Sequence, residues 1–266
     1  MENKQSRLSG YQLVPKGTKP HFIEVPTFPE GQFGQVFLEL YNERVVKDFN
    51  SNPVLNVLNY NPKNRMVEGS NPYAAVLAGQ IVAELGLRVA SPAELERILS
   101  RKELPLSGVY IDTGLVFRTE GNPNEYIAKS IKSQLEGRGI NNFEVPYLIP
   151  LAGLKLKKDG ESPSDLIFEF TDKTQIIQAP VLAGANNQRR FSKTDEFGLP
   201  ILEDEGTRTL YIRKDNSGVA RFCLDRDSDL YSNSEGLQYS NGSGRVAFVG
   251  GEATAKNFSA EKIKEI

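Results

Sequence analysis

The sequence predicts an α+β protein in which two helices and a mainly antiparallel sheet are joined by long inserted loops. Three observations carry that prediction. Two capped helical stretches lie close together between residues 71 and 99, and short β-prone runs flank them among Pro- and Gly-bearing segments. No internal repeat and no glycine-rich linker divides the 266 residues, so one continuous domain over 1–266 is the simplest organisation.

Each element has a local reason. Phe22-Ile23-Glu24-Val25 reads as a strand that stops at Pro26. Gln35-Val36-Phe37-Leu38-Glu39-Leu40-Tyr41 is apolar and β-prone enough for a buried strand, after the punctuation of Pro29-Glu30-Gly31. Asn71-Pro72 supplies an N-cap with proline at the first helical position, Val76, Ile81, Val82 and Leu85 form the apolar stripe behind it, and Gly86 ends it. Ser91-Pro92-Ala93-Glu94 is a capping box, after which Leu95, Ile98 and Leu99 face a core. Val109 to Phe117 is strand-like, and 124–137 has the character of a short helix. Ile167-Phe168-Glu169-Phe170 and Gln175-Ile176-Ile177 are further strands, as are the Ala220–Leu224 and Val246–Val249 runs.

Composition removes several function classes. Thirty-two basic residues stand against thirty-four acidic ones, a net charge of −2, which argues against a nucleic-acid footprint. No apolar run reaches the roughly 18 residues that a membrane span needs. Met1 to Gly10 is polar without an apolar core, so no secretory signal is read and a cytoplasmic location is the default expectation. Cys223 is the single cysteine, excluding an internal disulfide and a thiolate zinc cluster. His21 is the single histidine, in Lys19-Pro20-His21-Phe22-Ile23, and reads as a loop or edge residue; multi-His metal sites are excluded with it. No metal and no cofactor is expected.

The informative segment lies near the carboxyl end. Of the twenty residues from Asp225 to Gly244, thirteen are Ser, Asp, Gly or Asn, and Tyr231 and Tyr239 join them. Composition alone describes a solvated loop. Leu224, Leu230 and Leu237 recur through it, however, and strand-like runs bracket it, which describes a packed platform. Tyrosine with small polar residues is also the chemistry of adaptable recognition surfaces, because tyrosine offers contact area at little entropic cost.

Ser217-Gly218-Val219-Ala220-Arg221-Phe222, followed by polar residues and then by Gly244-Arg245-Val246-Ala247-Phe248-Val249, resembles the last strands of the C-type lectin fold. More narrowly it resembles the formylglycine-generating-enzyme-like branch, where a small residue–Ala–Arg strand precedes a Gly-Arg-Val or Gly-Val-Arg strand. Leu87-Arg88-Val89-Ala90-Ser91-Pro92-Ala93-Glu94-Leu95-Glu96 is similar to that branch's R-L-P-T-E-A-E-W-E helix start, departing where Leu95 replaces Trp and Ala90-Ser91 replaces Pro-Thr. The two motifs cover about one sixth of the chain, and their order and separation match. Within the branch, the likeness is to variable proteins of diversity-generating retroelements of the archaeal or viral kind, in which adenine-directed copying errors overwrite the 3′ end of the target gene.

The resemblance implies a C-type lectin-like fold and a hypervariable, receptor-like protein, not an enzyme, binding an unknown protein or surface ligand through a region at about 210–249. An Asn codon altered at its adenines yields Asp, Ser, Tyr, Gly or Arg among others and never Lys. From Asp215 through Ala255 there is no lysine, while Glu235 and Gln238 break the pattern. The implied structural anchors are Arg221, Leu224, Leu230, Leu237, Gly244, Arg245, Val246 and Val249. The implied ligand-binding surface is Arg213, Asp215, Asn216, Cys223, Asp225, Arg226, Asp227, Asp229, Tyr231, Asn233, Ser234, Tyr239, Asn241 and Ser243.

Two alternatives have distinct requirements. Asp225-Arg226-Asp227-Ser228-Asp229 has the start of a calcium loop, yet the EF-hand positions for Gly and Glu hold Leu230 and Gly236. The Glu-Pro-Asn, Gln-Pro-Asp and Trp-Asn-Asp signatures of calcium-dependent lectins are missing from the sequence. A formylglycine-generating oxidoreductase needs a reactive cysteine pair, where this chain has Cys223 alone. Glu94 is explained by capping, Glu94 and Glu96 point to different helix faces, and Arg189-Arg190 reads as a solvated pair without phosphate-loop spacing.

Overall fold

The computed structural model describes residues 24–102, 106–184, 188–225 and 228–251, so His21 lies outside the described residues. In chain order, β1 (Glu24–Thr27) leads to α1 (Gly31–Phe49) and the hairpin β2 (Asn59–Asn61)–β3 (Met66–Glu68). Next come α2 (Pro72–Val82), a 3-10 turn over Ala83–Leu85, β4 (Leu87–Val89), α3 (Pro92–Arg101), β5 (Tyr110–Phe117) and α4 (Glu125–Gly137). The second half holds β6 (Tyr147–Pro150), the hairpin β7 (Leu154–Lys158)–β8 (Leu166–Phe170), β9 (Ile177–Gln178) and a 3-10 turn over Pro180–Leu182. It continues through β10 (Gln188–Thr194), β11 (Pro200–Leu202), β12 (Arg208–Tyr211), β13 (Val219–Asp225), β14 (Asp229–Tyr231), β15 (Gly244–Arg245) and β16 (Phe248–Gly251).

The chain is a mixed α/β structure with four α-helices among the described residues and a mainly antiparallel main sheet. The main sheet runs β11-β10-β12-β14-β13-β5-β6-β9, with β15 pairing β5. Its two parallel pairs are β12–β14 and β15–β5. A second sheet, β1-β16-β4, joins strands from both ends of the described chain, Glu24 opposite Gly251. β1 runs through Pro26, which an edge strand tolerates because the missing N–H need not serve a ladder on both sides.

The described residues hold four helices: the two expected from their caps, the short one read near 124–137, and α1, which was not expected. The run 35–41, expected as a strand, belongs to the nineteen-residue α1. The reason lies outside that window: Gly34, Phe37, Tyr41, Val45 and Phe49 are buried, spaced by three and four, so the apolar period is helical once the sequence beyond Tyr41 is included. The stretch near 124–137 is α4, burying Ile127, Ala128, Ile131 and Leu135. Where local capping chemistry is strong, expectation and structure coincide. Asn71 Oδ1 accepts from the Ala74 amide at 2.8 Å, and Gly86 closes the following 3-10 turn at φ +74°. Ser91 and Glu94 form the reciprocal capping box at the start of α3.

The strands β5 and β6 are buried on both faces, and they separate two packed clusters. Leu115, Phe117 and Ile149 face the cluster containing α1, α2, α4 and Phe168. Ile111, Val116 and Leu148 face a second cluster with Leu95, Ile98, Phe191, Leu210, Phe222, Leu224 and Leu230. No helix among the described residues is long and apolar enough to cross a membrane.

Candidate ligand-binding face

The carboxyl-terminal segment rests on a buried ion pair. Arg221 on β13 donates from Nε and Nη2 to the two Asp112 carboxylate oxygens, 2.7 Å each. β13 and β5 are antiparallel neighbours, and a register shift between Phe222 and Cys223 brings these side chains together. Ser70 Oγ donates to the same carboxylate at 2.8 Å. Arg221 Nη1 turns the other way and donates to the Tyr239 and Gly236 carbonyls at 3.0 and 3.3 Å. One guanidinium thus ties a segment without regular structure to the centre of the sheet. Burial by itself would lower the Arg221 pKa; the adjoining Asp112 carboxylate outweighs that and holds it above the ordinary arginine value.

The anchoring side chains are all buried. Leu237 enters the first cluster, whereas Leu224 and Leu230 enter the second, so the segment between them is fastened on both sides of the sheet. Val246 joins the first cluster and Val249 the second. Gly244 passes so close to the 69–70 backbone that a Cβ there would lie 2.5 Å from the Ser70 amide nitrogen and 2.7 Å from the Tyr110 hydroxyl. Arg245 pairs with Glu68 at 3.0 Å and donates to the Gly242 and Gly244 carbonyls, 2.7 Å each. Asn71 Nδ2 adds a bond to the Gln238 carbonyl at 3.2 Å.

The surface residues fall into separate groups. Tyr239 is 57% exposed and its hydroxyl accepts from Asn241 Nδ2 at 2.7 Å, while Asn241 Oδ1 holds the Ser243 amide at 2.8 Å. Arg213 pairs with Glu235 and, at 2.8 Å, with Asp215. Asp215, Asn216 and Glu235 are exposed, and the Asn216 carbonyl accepts from Thr119 Oγ1 at 3.2 Å. Tyr231 on β14 stacks on Tyr211 of β12, ring centroids 4.4 Å apart. Asp225, Asp229, Asn233 and Ser234 are half-buried, and Asp229 Oδ1 accepts from the Thr209 amide at 2.6 Å. Arg226 and Asp227 lie outside the described residues.

Cys223 requires a correction. Expected on the surface, it is buried on β13 between Asp112 of β5 and Tyr231 of β14. Burial first, and then the Asp112 charge, push its thiol well above the usual cysteine range. Native protein is therefore expected to resist thiol-specific labelling at mildly alkaline pH and to label fully in denaturant. Rapid native labelling would contradict this placement.

Tyr231 makes a second pH-linked feature. Burial, then the charges of Tyr211 and Asp225, raise its phenol from 10.0 to about 12. An unfolded tyrosine ionises near pH 10 while the folded one keeps its proton, so stability present below pH 10 is lost progressively as the pH rises towards 12. Ultraviolet titration of tyrosinate, compared with Tyr231→Phe, is expected to show one late-ionising group fewer in the variant; an unchanged curve would refute the assignment.

Tyr211 and Asp112 were not anticipated as parts of this face. A readable signal existed for Asp112, an acid inside the otherwise apolar Tyr110-Ile111-Asp112 run, matched by Arg221 inside Val219-Ala220-Arg221-Phe222. Asp225 of β13 lies opposite Asp229 of β14 in an antiparallel pair, so strands hold these two positions where an EF-hand loop would have flanking helices. Among the described residues, no group of three or more His, Cys, Asp or Glu side chains is placed to hold a metal. Glu94 pairs with Arg88, and Glu96 pairs with Arg208 at 2.6 Å. Arg190 binds the Gly206 carbonyl and Thr209 Oγ1 at 3.0 and 2.9 Å, so it is fixed within its sheet neighbourhood despite exposure.

In comparisons with known proteins, the chain matches no family model, no curated protein and no solved structure.

Proposed function

We propose that this chain is a non-enzymatic ligand-binding protein of C-type lectin-like fold, of the formylglycine-generating-enzyme-like branch. Within that class we propose a variable protein of a diversity-generating retroelement, whose region at about 210–249 meets a protein or other surface ligand. One observation carries the reading: a lysine-free, Tyr-, Ser-, Asn- and Asp-rich segment is fastened by buried anchors while Tyr239, Asn241, Asp215 and Asn216 remain exposed. Such an arrangement separates fold from surface. Exposed substitutions typically shift stability by about 0.5 kcal/mol or less, whereas core substitutions cost several times more. The positions of β13, β15 and β16, in the order that the resemblance implies for its last strands, also support it.

Cys223 leaves the candidate surface and joins the framework. An oxidoreductase of the formylglycine-generating type uses a reactive cysteine pair, and a single buried thiol with a raised pKa favours the binding reading over that one. Sequencing of the flanking DNA tests the proposal. A near-identical, adenine-richer copy of the codons for residues 210–249 is expected beside a reverse-transcriptase gene, with differences at the codons of Asp215, Asn216, Tyr239 and Asn241 and none at Arg221, Leu237 or Gly244. Absence of such a copy would overturn the retroelement origin.

A further inference from the structure

Arg118, directly after β5, is the largest fully buried side chain among the described residues and is only 1% exposed. It lies two residues beyond Val116 and extends the face of the second cluster. Its Nη2 donates to the Ser232 carbonyl at 2.9 Å, to Ser232 Oγ at 3.3 Å and to the Leu182 carbonyl at 3.4 Å. Its Nε and Nη1 are buried without a hydrogen-bond partner. None of the groups it bonds is a carboxylate. The other buried arginines among the described residues each hold a carboxylate, Arg221 with Asp112 and Arg245 with Glu68, although Arg245 Nε is also buried and unpartnered.

A second guanidinium points to the same requirement. Arg213 follows two residues after Tyr211, whose carbonyl takes the amide of Ser232, the residue that Arg118 bonds; its charge lowers the Arg118 pKa, and its own Nε is likewise buried and unpartnered. The acids that Arg213 does hold, Glu235 and Asp215, are both solvent-exposed and neither bonds Arg118. Burial and then Arg213 lower the Arg118 pKa to about 10, so it remains a cation at neutral pH. Arg118 is thus a buried cation with unmet N–H groups and no carboxylate partner among the described residues. A neutral water can accept a hydrogen bond but cannot offset the charge, whereas an oxyanion does both and matches the guanidinium geometry.

We propose that Arg118 and Arg213 form a binding site for a small oxyanion, a phosphate or carboxylate, lying beside Ser232 and the Leu182 carbonyl. Arg118 supplies the enclosed charge. Arg213, at the margin, exchanges its exposed acidic partners for the incoming ion, so Glu235 competes with the ligand. Ser232 also bonds the Tyr211 carbonyl through its amide and Oγ, at 2.8 and 3.0 Å, which couples an occupied site to the Tyr211–Tyr231 stack. The inference uses Arg213 from the recognition face but stands independently of a retroelement origin. Anion binding by a chain with no adenine-rich copy, or the reverse, would separate the two.

Thermal unfolding of the full chain in rising inorganic phosphate, against chloride at matched ionic strength, is the test. Wild type is expected to show a saturating rise in Tm. Arg118→Met abolishes it, Arg213→Gln weakens the midpoint about tenfold, and Glu235→Gln tightens it several-fold. Acetate is the second probe: saturation by acetate as well places carboxylates in the site, and saturation by phosphate alone restricts it to tetrahedral oxyanions. Either supports the proposal. A non-saturating rise that is the same in wild type and Arg118→Met means an adventitious ion only and overturns it. Should Arg118→Met fail to fold, calorimetric titration of phosphate into wild type and Arg213→Gln decides, with equal midpoints or no heat in wild type overturning the proposal.

Discussion

Arg221→Met is expected to destabilise the protein by about 3–5 kcal/mol, because it leaves the Asp112 carboxylate buried with Ser70 Oγ as its one remaining side-chain donor among the described residues. For a chain of this size that corresponds to a fall in Tm of roughly 10 °C. The loss should not be confined to the pair. Arg221 also holds the Gly236 and Tyr239 carbonyls, so its removal releases the segment that displays Tyr239. Asp112→Leu is expected to act in the same direction, and the double variant Arg221→Met/Asp112→Leu should cost less than the sum of the single changes, since no charge is then stranded. Urea unfolding of the four proteins checks this. A loss under about 1 kcal/mol for Arg221→Met would show that the ion pair is not what fastens the segment.

Leu237→Asp is expected to be at least as damaging, about 4 kcal/mol or more, through loss of packing and burial of an unpaired carboxylate. Leu237 is 1% exposed and packs into the first cluster from a segment outside the named strands, supplying the apolar anchor beside the Arg221 and Asn71 hydrogen bonds. Tyr239, two residues away, is the control: Tyr239→Ala should stay within about 0.5 kcal/mol of wild type. Tyr231→Ala belongs between them, near 1 kcal/mol, because the stacked Tyr211 ring loses its partner. Chemical denaturation measures all three. Equal effects at Leu237 and Tyr239 would dissolve the division between framework and display.

The contrast bears on the proposed diversification of this face. Tyr239 and Asn241 bond each other, Asp215 pairs with Arg213, and the Asn216 carbonyl accepts from Thr119 Oγ1, while the two cores are built without these four side chains. Cys223 and Tyr231 differ. The first is enclosed between strands, and the second stabilises a pair of parallel strands by stacking.

The amino-acid sequence by itself determined the elements whose causes are local. Asn71-Pro72 and Ser91-Pro92-Ala93-Glu94 specify helix starts because capping needs only residues three apart, and Gly86 specifies a stop because a positive φ is a single-residue property. The leucines at 224, 230 and 237 were legible as anchors because apolar side chains in a polar segment have few places to go but inward. Tertiary structure alone decided the rest. Whether 35–41 was strand or helix depended on burial further along, at Val45 and Phe49, against α2 and the sheet. The side of the sheet that each leucine enters, the burial of Cys223, and the meeting of Arg221 with Asp112 across 109 residues depend on strand register, which no local window contains. Arg118 is the sharpest case: one arginine after an apolar strand reads as a surface charge, and only the packing of Leu182 and Ser232 around it makes it a buried cation with no carboxylate partner among the described residues.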